Sequence, residues 1–238
     1  MLYGFDWTYM VMVLPAVILA FYAQNKVNST FKKYSKHSNK NGYTGAQVAQ
    51  MLLSIAGIND VTIEQVAGNL TDHYDPRSKV LRLSQTVYGS QSIAAIGVAA
   101  HETGHAIQHN TGYVFLGLRN AIFPVVSFSS KLSMPLIMLG FILSAFSRGP
   151  LGLTLLFFGI ILFTAVVVFQ VITLPVEFNA SSRAIEMLGE NNVLYSDEIA
   201  PAKKVLNAAA LTYVAAAAVS IATLLRYIML FSGRSRND

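Results

Sequence analysis

Four long apolar segments constrain the fold of this chain more than any other feature of its sequence. They lie at about residues 7–25, 121–147, 149–173 and 205–228. A helix needs about 20 mostly apolar residues to cross the hydrocarbon core of a bilayer, and each segment has about that length or more. Lys131 interrupts the second segment, where a lysine can extend its ammonium group toward the membrane surface. The pattern predicts four transmembrane helices in a lipid bilayer.

The composition supports membrane insertion and narrows the available chemistry. Only 12% of the 238 residues are charged, about half the share in a typical soluble domain. Cysteine is absent, which excludes disulfides, thiolate ligands and a cysteine nucleophile. Any transition-metal site must therefore use His, Asp or Glu. The net charge of +5 is explained by basic loops beside the membrane, and we expect no nucleic-acid partner.

Lysines beside the apolar segments predict the orientation of the chain. Five lysines lie between residues 26 and 40, and Lys203 and Lys204 directly precede the last segment. Because basic loops remain in the cytoplasm, we expect the loops 26–120 and 174–204 to lie on the cytoplasmic side. Arginines near the C-terminus argue mildly against this orientation, but four spans place the two loops on one side in either case.

The first of these loops carries secondary-structure signals of its own. Residues 44–57 have the pattern of a short amphipathic helix with Thr44 as its N-cap. Residues 69–84 predict a β-hairpin whose turn has Pro76 at the favoured second position. Residues 92–109 predict another helix. The expected fold is mainly helical, with a small hairpin beside the catalytic region.

Residues 101–105 read His-Glu-Thr-Gly-His, which is an HExxH motif. Residues four apart lie on one face of a helix, so His101 and His105 can bind one zinc ion. Glu102 can accept a proton from a zinc-activated water that attacks a peptide carbonyl. The alternative is a chance match on an ordinary helix with two surface histidines. The apolar stretch before His101 favours the metal site, because it predicts a helix that can bury it.

A catalytic zinc site of this kind needs a third protein ligand. His109 is one candidate, but it lies roughly 10 Å or more along the helix axis from His101. Glu177 is the better candidate, although it could instead be an interfacial glutamate beside a span. Pro175 can begin and Gly189 can end a short helix that carries Glu177.

The two faces of that predicted helix differ in character. Glu177 shares its face with small residues, namely Ala180, Ser181 and Ala184. Such a face can pack closely against another helix. The opposite face has the composition of a solvated surface and carries Ser182, Arg183, Glu186 and Glu190. The pattern therefore favours Glu177 over Glu186 as the third ligand.

Three longer blocks resemble the YugP-type neutral zinc metallopeptidases of bacterial membranes. They are residues 71–84 (TDHYDPRSKVLRLS), 92–109 (SIAAIGVAAHETGHAIQH) and 174–184 (LPVEFNASSRA). The resemblance covers most of the chain and implies a multi-pass zinc peptidase of the bacterial cell membrane. It implies Glu102 as the base and one zinc ion per chain, bound by His101, His105 and Glu177. It also implies a polypeptide substrate that is itself associated with the membrane.

The chain is more distantly similar to the prenyl-protein and heat-shock membrane zinc proteases, which pair HExxH with a downstream ExxxD helix. Ser181 stands where their aspartate would be. We expect its hydroxyl to orient a zinc-binding histidine. Asn179 lies on another face of the predicted helix and is a poorer substitute.

Substrate contacts are predicted from general peptidase chemistry. HExxH peptidases usually pair the substrate backbone with an edge strand, and residues 79–84, with Leu81, are the candidate edge. The oxyanion needs a donor besides zinc, and the side chains that could supply it are His73, Tyr74, Tyr88 and Arg183. Each of these residues also has an ordinary structural interpretation.

Two other functions compete with a zinc endopeptidase of this class. A site-2-type intramembrane protease buries HExxH in a span and uses a downstream aspartate, but here Asp75 and Arg77 lie not far upstream of the motif. A membrane scaffold or transporter is the other alternative, but no predicted span has a central cluster of ionisable groups. We therefore predict a single membrane-embedded peptidase domain over residues 1–238.

Overall fold

The computed structural model describes residues 7–146 and 150–235. Residues 1–6, 147–149 and 236–238 lie outside the described residues. The predicted end of the second span, at residue 147, and the predicted start of the third, at residue 149, are among them. The described elements are, in chain order, α1 (Leu14–Tyr34), α2 (Gly45–Ile55), β1 (Thr62–Val66), β2 (His73–Asp75), β3 (Val80–Ser84), α3 (Gln85–Tyr88), α4 (Ile93–Asn110), α5 (Val114–Phe146), α6 (Leu151–Glu190) and α7 (Ser196–Ser235). One π-helical turn, Tyr9–Val13, precedes α1.

Four helical segments are long and apolar enough to cross a membrane. They are Tyr9–Tyr34, Val114–Phe146, Leu151–Glu190 and Ser196–Gly233. Between 11% and 28% of the most apolar window in each segment is buried within the protein. Apolar helix surface that protein does not cover is stable against hydrocarbon rather than water. The predicted mainly helical membrane fold with four spans is confirmed.

The third span does not end where the sequence suggested. α6 continues through Pro175 to Glu190, so the prediction that Pro175 begins a separate helix is wrong. A proline inside a helix removes one backbone hydrogen bond and crowds the preceding turn. Beyond Pro175, Val176, Ala180 and Leu188 are fully buried, and their packing holds the C-terminal part of α6 in place.

The chain divides into two compact units. One contains α1 up to Tyr22, the segment Leu118–Thr173, and α7 from Tyr213 onward. The other contains Ala23–Gly117 and Leu174–Thr212. Both parts of the predicted metal site belong to this second unit. The prediction of one peptidase domain over the whole chain stays a prediction.

Side-chain caps define the starts of α2 and α4. The Thr44 hydroxyl accepts a hydrogen bond from the Gln47 amide, and the Gln47 side chain accepts one from the Thr44 amide, which completes a capping box. Ser92 accepts from the amide of Ala95 at the start of α4. Both helices appear where the sequence predicted them, and they share a buried apolar core with α6 and α7.

The three strands form one sheet in the order β1-β3-β2. β2 and β3 are antiparallel, and the Asp75 carboxylate accepts hydrogen bonds from the Arg77 amide and the Ser78 hydroxyl in the turn between them. The predicted hairpin is therefore confirmed. β1 was not predicted, and it pairs in parallel with the other side of β3.

The sheet overturns one prediction about substrate binding. Residues 79–84, predicted as an edge strand, contain the central strand β3, whose backbone is paired on both sides. Leu81 is fully buried in the apolar core. A substrate strand needs a free edge, so the assignment of β3 and Leu81 to substrate binding is wrong because β1 occupies that edge.

α4 and α6 approach each other closely at Gly104. A Cβ atom at this position would lie 2.7 Å from the carbonyl oxygen of Ala180, a separation that real side chains do not tolerate. The absence of a side chain therefore lets the two helices pack at backbone distance. This contact brings His101 and His105 of α4 toward the turn of α6 that carries Glu177.

Candidate metal centre

Three side chains from α4 and α6 converge on one point. The Nε2 atoms of His101 and His105 lie 3.2 Å and 3.5 Å from Oε2 of Glu177. Each of the three residues offers one potential ligand atom, and these three atoms all lie within 4.8 Å of one another. The two imidazole rings are almost perpendicular, with centroids 4.8 Å apart. Two ring nitrogens and one carboxylate oxygen thus surround a common space.

This donor set and its spacing suit zinc. Catalytic zinc sites use three protein ligands, such as two imidazoles and one carboxylate, and keep a fourth position open. Ligands about 2.0–2.1 Å from a tetrahedral ion are roughly 3.3 Å apart, which is close to the distances from the two histidine nitrogens to Oε2 of Glu177. Glu177 is only 2% exposed, and a buried carboxylate needs a cationic or hydrogen-bonding partner.

The electrostatics of the site also favour a cation. Burial alone would lower the pKa of His105, because it disfavours the charged imidazolium. The hydrogen bond with Glu177 and the negative charges of Glu102 and Glu177 outweigh burial, so the pKa of His105 is raised. Two carboxylates therefore make the space between the helices electronegative.

The Nδ1 atom of each histidine has a partner on the side away from Glu177. The Ser181 hydroxyl lies 3.1 Å from Nδ1 of His101. This is the side chain that replaces the aspartate of the distantly similar proteases. Ser181 follows Glu177 by four residues on α6, so one face of that helix meets both nitrogens of His101.

Gln108 was missed in the sequence, although it contacts the second histidine. Its Oε1 lies 3.0 Å from Nδ1 of His105, and the residue is fully buried. Its Nε2 donates to the Val176 carbonyl at 2.8 Å and to the Asn179 side-chain oxygen at 3.0 Å. Both amide hydrogens are thus used, so Oε1 accepts the Nδ1 proton of His105. The Nε2 lone pair of His105 then faces the common space.

Asn179 and Arg183 extend this network along α6. Nε of Arg183 donates to Oδ1 of Asn179 at 2.8 Å. As expected, Asn179 lies on a different face of α6 from Ser181. The face with Asn179 contacts Gln108. The signal for Gln108 was present in the sequence, since it is a polar residue three positions after His105, on the helix that carries the motif.

The other predicted site residues are not among the three side chains that converge. Glu102 is half-buried on α4. The Tyr74 hydroxyl lies 2.8 Å from Nδ1 of His109, and burial followed by the charges of Asp60 and Asp75 raises the pKa of Tyr74. His73 and Tyr88 make contacts elsewhere: the His73 ring contacts the Thr71 carbonyl, and Tyr88 packs on the core around Leu81.

Comparison with known proteins relates this site to a family. A family model described as "Putative neutral zinc metallopeptidase" matches residues 9–232. The chain is 50% identical over 230 residues to "Putative membrane protease YugP" of Bacillus subtilis (strain 168), and the match covers 96% of this chain and 99% of that protein. No solved structure matches the chain. Since the family model spans nearly the whole sequence, the chain belongs to this family of neutral zinc metallopeptidases.

Proposed function

We propose that the protein is a zinc-dependent endopeptidase that hydrolyses peptide bonds of membrane-associated polypeptides. His101, His105 and Glu177 would bind one zinc ion per chain. The observation that carries this proposal is the convergence of their ligand atoms within 4.8 Å, in a member of a zinc peptidase family. A zinc ion bound there would polarise the scissile carbonyl and lower the pKa of the attacking water.

Glu102 supplies the proton chemistry in this mechanism. It adjoins His101 on α4, and within the described part of the chain its carboxylate forms no ion pair. The carboxylate accepts a proton as the water oxygen bonds to the carbonyl carbon. It then gives that proton to the amide nitrogen as the carbon–nitrogen bond breaks, so the products are a free acid and a free amine.

Ser181 and Gln108 act as positioning residues. Each contacts the Nδ1 atom of one histidine and leaves its Nε2 atom toward Glu177. Partners of this kind fix the ring orientation and tautomer of a metal-binding histidine. Gln108 also ties α4 to α6 through two further hydrogen bonds, so it links ligand orientation to helix packing.

Tyr74 is the oxyanion donor that we favour among the four candidates. Its contact with His109 holds β2 against the last turn of α4, one turn beyond His105. The Tyr74 hydroxyl is protonated at neutral pH, since the ordinary pKa of tyrosine is about 10 and burial raises it further, and a donor to a developing oxyanion needs that proton.

The third converging side chain favours this peptidase over a site-2-type enzyme. The group that meets the two histidines is a glutamate on the helix continuing from a span. A site-2-type protease would use a downstream aspartate there. Membership of a zinc peptidase family likewise favours catalysis over a scaffold or a transporter.

Glu102→Gln tests the base. We expect the purified variant to retain wild-type zinc content and to lose about 100-fold or more of its peptidase rate, since an amide cannot accept the proton. Zinc per chain is measured by elemental analysis and turnover with an unfolded protein substrate. Glu186→Gln, an exposed carboxylate of α6, is the control. Near wild-type turnover in Glu102→Gln would exclude the mechanism.

Glu177→Ala tests the third ligand. This variant should lose both zinc and activity, whereas Glu186→Ala and His109→Ala should keep most of their zinc. The measurement is metal per chain after dialysis against a weak chelator. Full occupancy in Glu177→Ala together with loss in His109→Ala would show that three histidines form the site.

Gln108→Leu tests the positioning network with a side chain of similar size. We expect zinc affinity to fall about 10- to 100-fold, measured by competition with a chromogenic chelator. Thr103→Val is the matched control, because Thr103 is also buried on α4 but its hydroxyl donates to Ala99 within the same helix. If both variants bind zinc as tightly as wild type, Gln108 serves packing alone.

Reporter fusions test the proposed sidedness of the active site. Fusions after Lys40 and after Glu190 should both report the cytoplasm, because the lysine-rich segments adjoin both loops. Opposite compartments for the two fusions would contradict a shared metal site. A shared periplasmic or extracellular location would contradict the orientation alone.

A further inference from the structure

A cavity that is open to solvent lies between the C-terminal turns of α1 and the N-terminal half of α7. Its volume is about 560 Å³. Its polar walls are formed by Lys26, Thr30 and Lys33 of α1 and by Lys204 and Asn207 of α7. None of these residues belongs to the metal centre. The cavity is therefore a separate feature that the proposed peptidase mechanism does not use.

The cavity is built by one face of each helix. Lys26, Thr30 and Lys33 stand at positions i, i+4 and i+7, which share a helical face. The lining residues of α7 follow the same kind of spacing. Tyr34 and Val205 belong to one buried cluster, so the two helices are packed together beside the cavity and hold its lysines on opposite walls.

The three lysines of this cavity are exposed to solvent, and Nζ of Lys33 lies 5.4 Å from the centre of the Tyr34 ring. Within the described part of the chain, no carboxylate lines the cavity and no ion pair involves Lys26, Lys33 or Lys204. Like charges facing one space repel one another, and an anion would relieve that repulsion. Thr30 and Asn207 add a hydroxyl and an amide, which can donate to phosphate oxygens.

The positions of the lysines along the chain indicate where such an anion would come from. Lys26 directly follows the apolar segment 7–25, and Lys204 directly precedes the apolar segment 205–228. We therefore expect both to stand where a spanning helix leaves the hydrocarbon, near the depth of the lipid phosphates. Leu211 adds an apolar wall on the side of the span. Basic pockets between membrane helices bind anionic lipid head groups.

We propose that this cavity binds the phosphate head group of an anionic phospholipid such as phosphatidylglycerol. Lys26, Lys33 and Lys204 surround the phosphate, while Thr30 and Asn207 donate hydrogen bonds to it. The other lysines of the same basic stretches face elsewhere: Lys40 pairs with Asp197, and Lys32, Lys36 and Lys203 do not line the cavity. The inference does not depend on the peptidase activity.

The test compares two triple variants that lose the same charge. Lys26, Lys33 and Lys204 are changed to Gln in one, and Lys32, Lys36 and Lys203 are changed to Gln in the other. Full-length protein in a neutral detergent is titrated with short-chain phosphatidylglycerol, short-chain phosphatidylcholine or inorganic phosphate, and bound lipid is counted by native mass spectrometry. We expect the cavity variant alone to bind phosphatidylglycerol about tenfold or more weakly than wild type.

Several outcomes would overturn the proposal. Equal losses in the two triple variants would mean general surface attraction. Equal binding of phosphatidylcholine would remove the requirement for net negative charge. Inorganic phosphate that displaces phosphatidylglycerol at equal concentration would identify a soluble ligand instead. If the triple variant misfolds, the single variant Lys204→Glu is used in its place, and Lys203→Glu is its control. We then expect phosphatidylglycerol binding to weaken in Lys204→Glu and not in Lys203→Glu.

Discussion

The packing of α4 on α6 is the contact on which the proposed active site depends. Gly104 lets the helix with the HExxH motif approach the backbone of α6 at Ala180. Neither helix alone has the complete set of proposed ligands, because α4 contributes two imidazoles and α6 one carboxylate. Their close approach places a glutamate, 2% exposed, between two histidines. A buried carboxylate needs a cationic or hydrogen-bonding partner, and the two imidazole nitrogens beside Glu177 make this a group that could hold a metal ion.

The same helix pair explains how ligand orientation and packing are connected. Gln108 hydrogen-bonds to His105 and to two groups of α6, while Ser181 reaches from α6 back to His101. A displacement of α6 would therefore break ligand contacts and orienting contacts together. α6 is also the continuation of a membrane-spanning segment. The proposed third ligand is thus carried on a helix whose N-terminal part is a membrane-spanning segment.

Local sequence patterns were sufficient for much of the fold and for the converging side chains. The i, i+4 spacing of His101 and His105 and the small-residue face around Glu177 depend on helical periodicity alone, and the hairpin depends on its turn residues. β1 was not predicted because its five residues, Thr62–Val66, are largely exposed and pair in parallel with a strand that is distant in sequence. That error led to the wrong assignment of β3 as an edge.

The continuous α6 and the role of Gln108 escaped prediction for a different reason. A proline such as Pro175 often marks a helix boundary, but α6 continues through it, and the burial of the following turns explains why the helix persists. The position of Gln108, three residues after His105, is visible in the sequence, but its role depends on the partners that α6 supplies. Both features are tertiary, since they depend on which surface packs against a helix rather than on the helix itself.

X-ray absorption at the zinc edge tests the central claim most directly. Purified full-length protein loaded with one equivalent of zinc should show scattering from two imidazole rings and from oxygen donors at about 2.0–2.2 Å. Replacing Glu177 with His should raise the imidazole contribution to three. A wild-type spectrum with three imidazoles, or one unchanged by substitution of Glu177, would contradict the account.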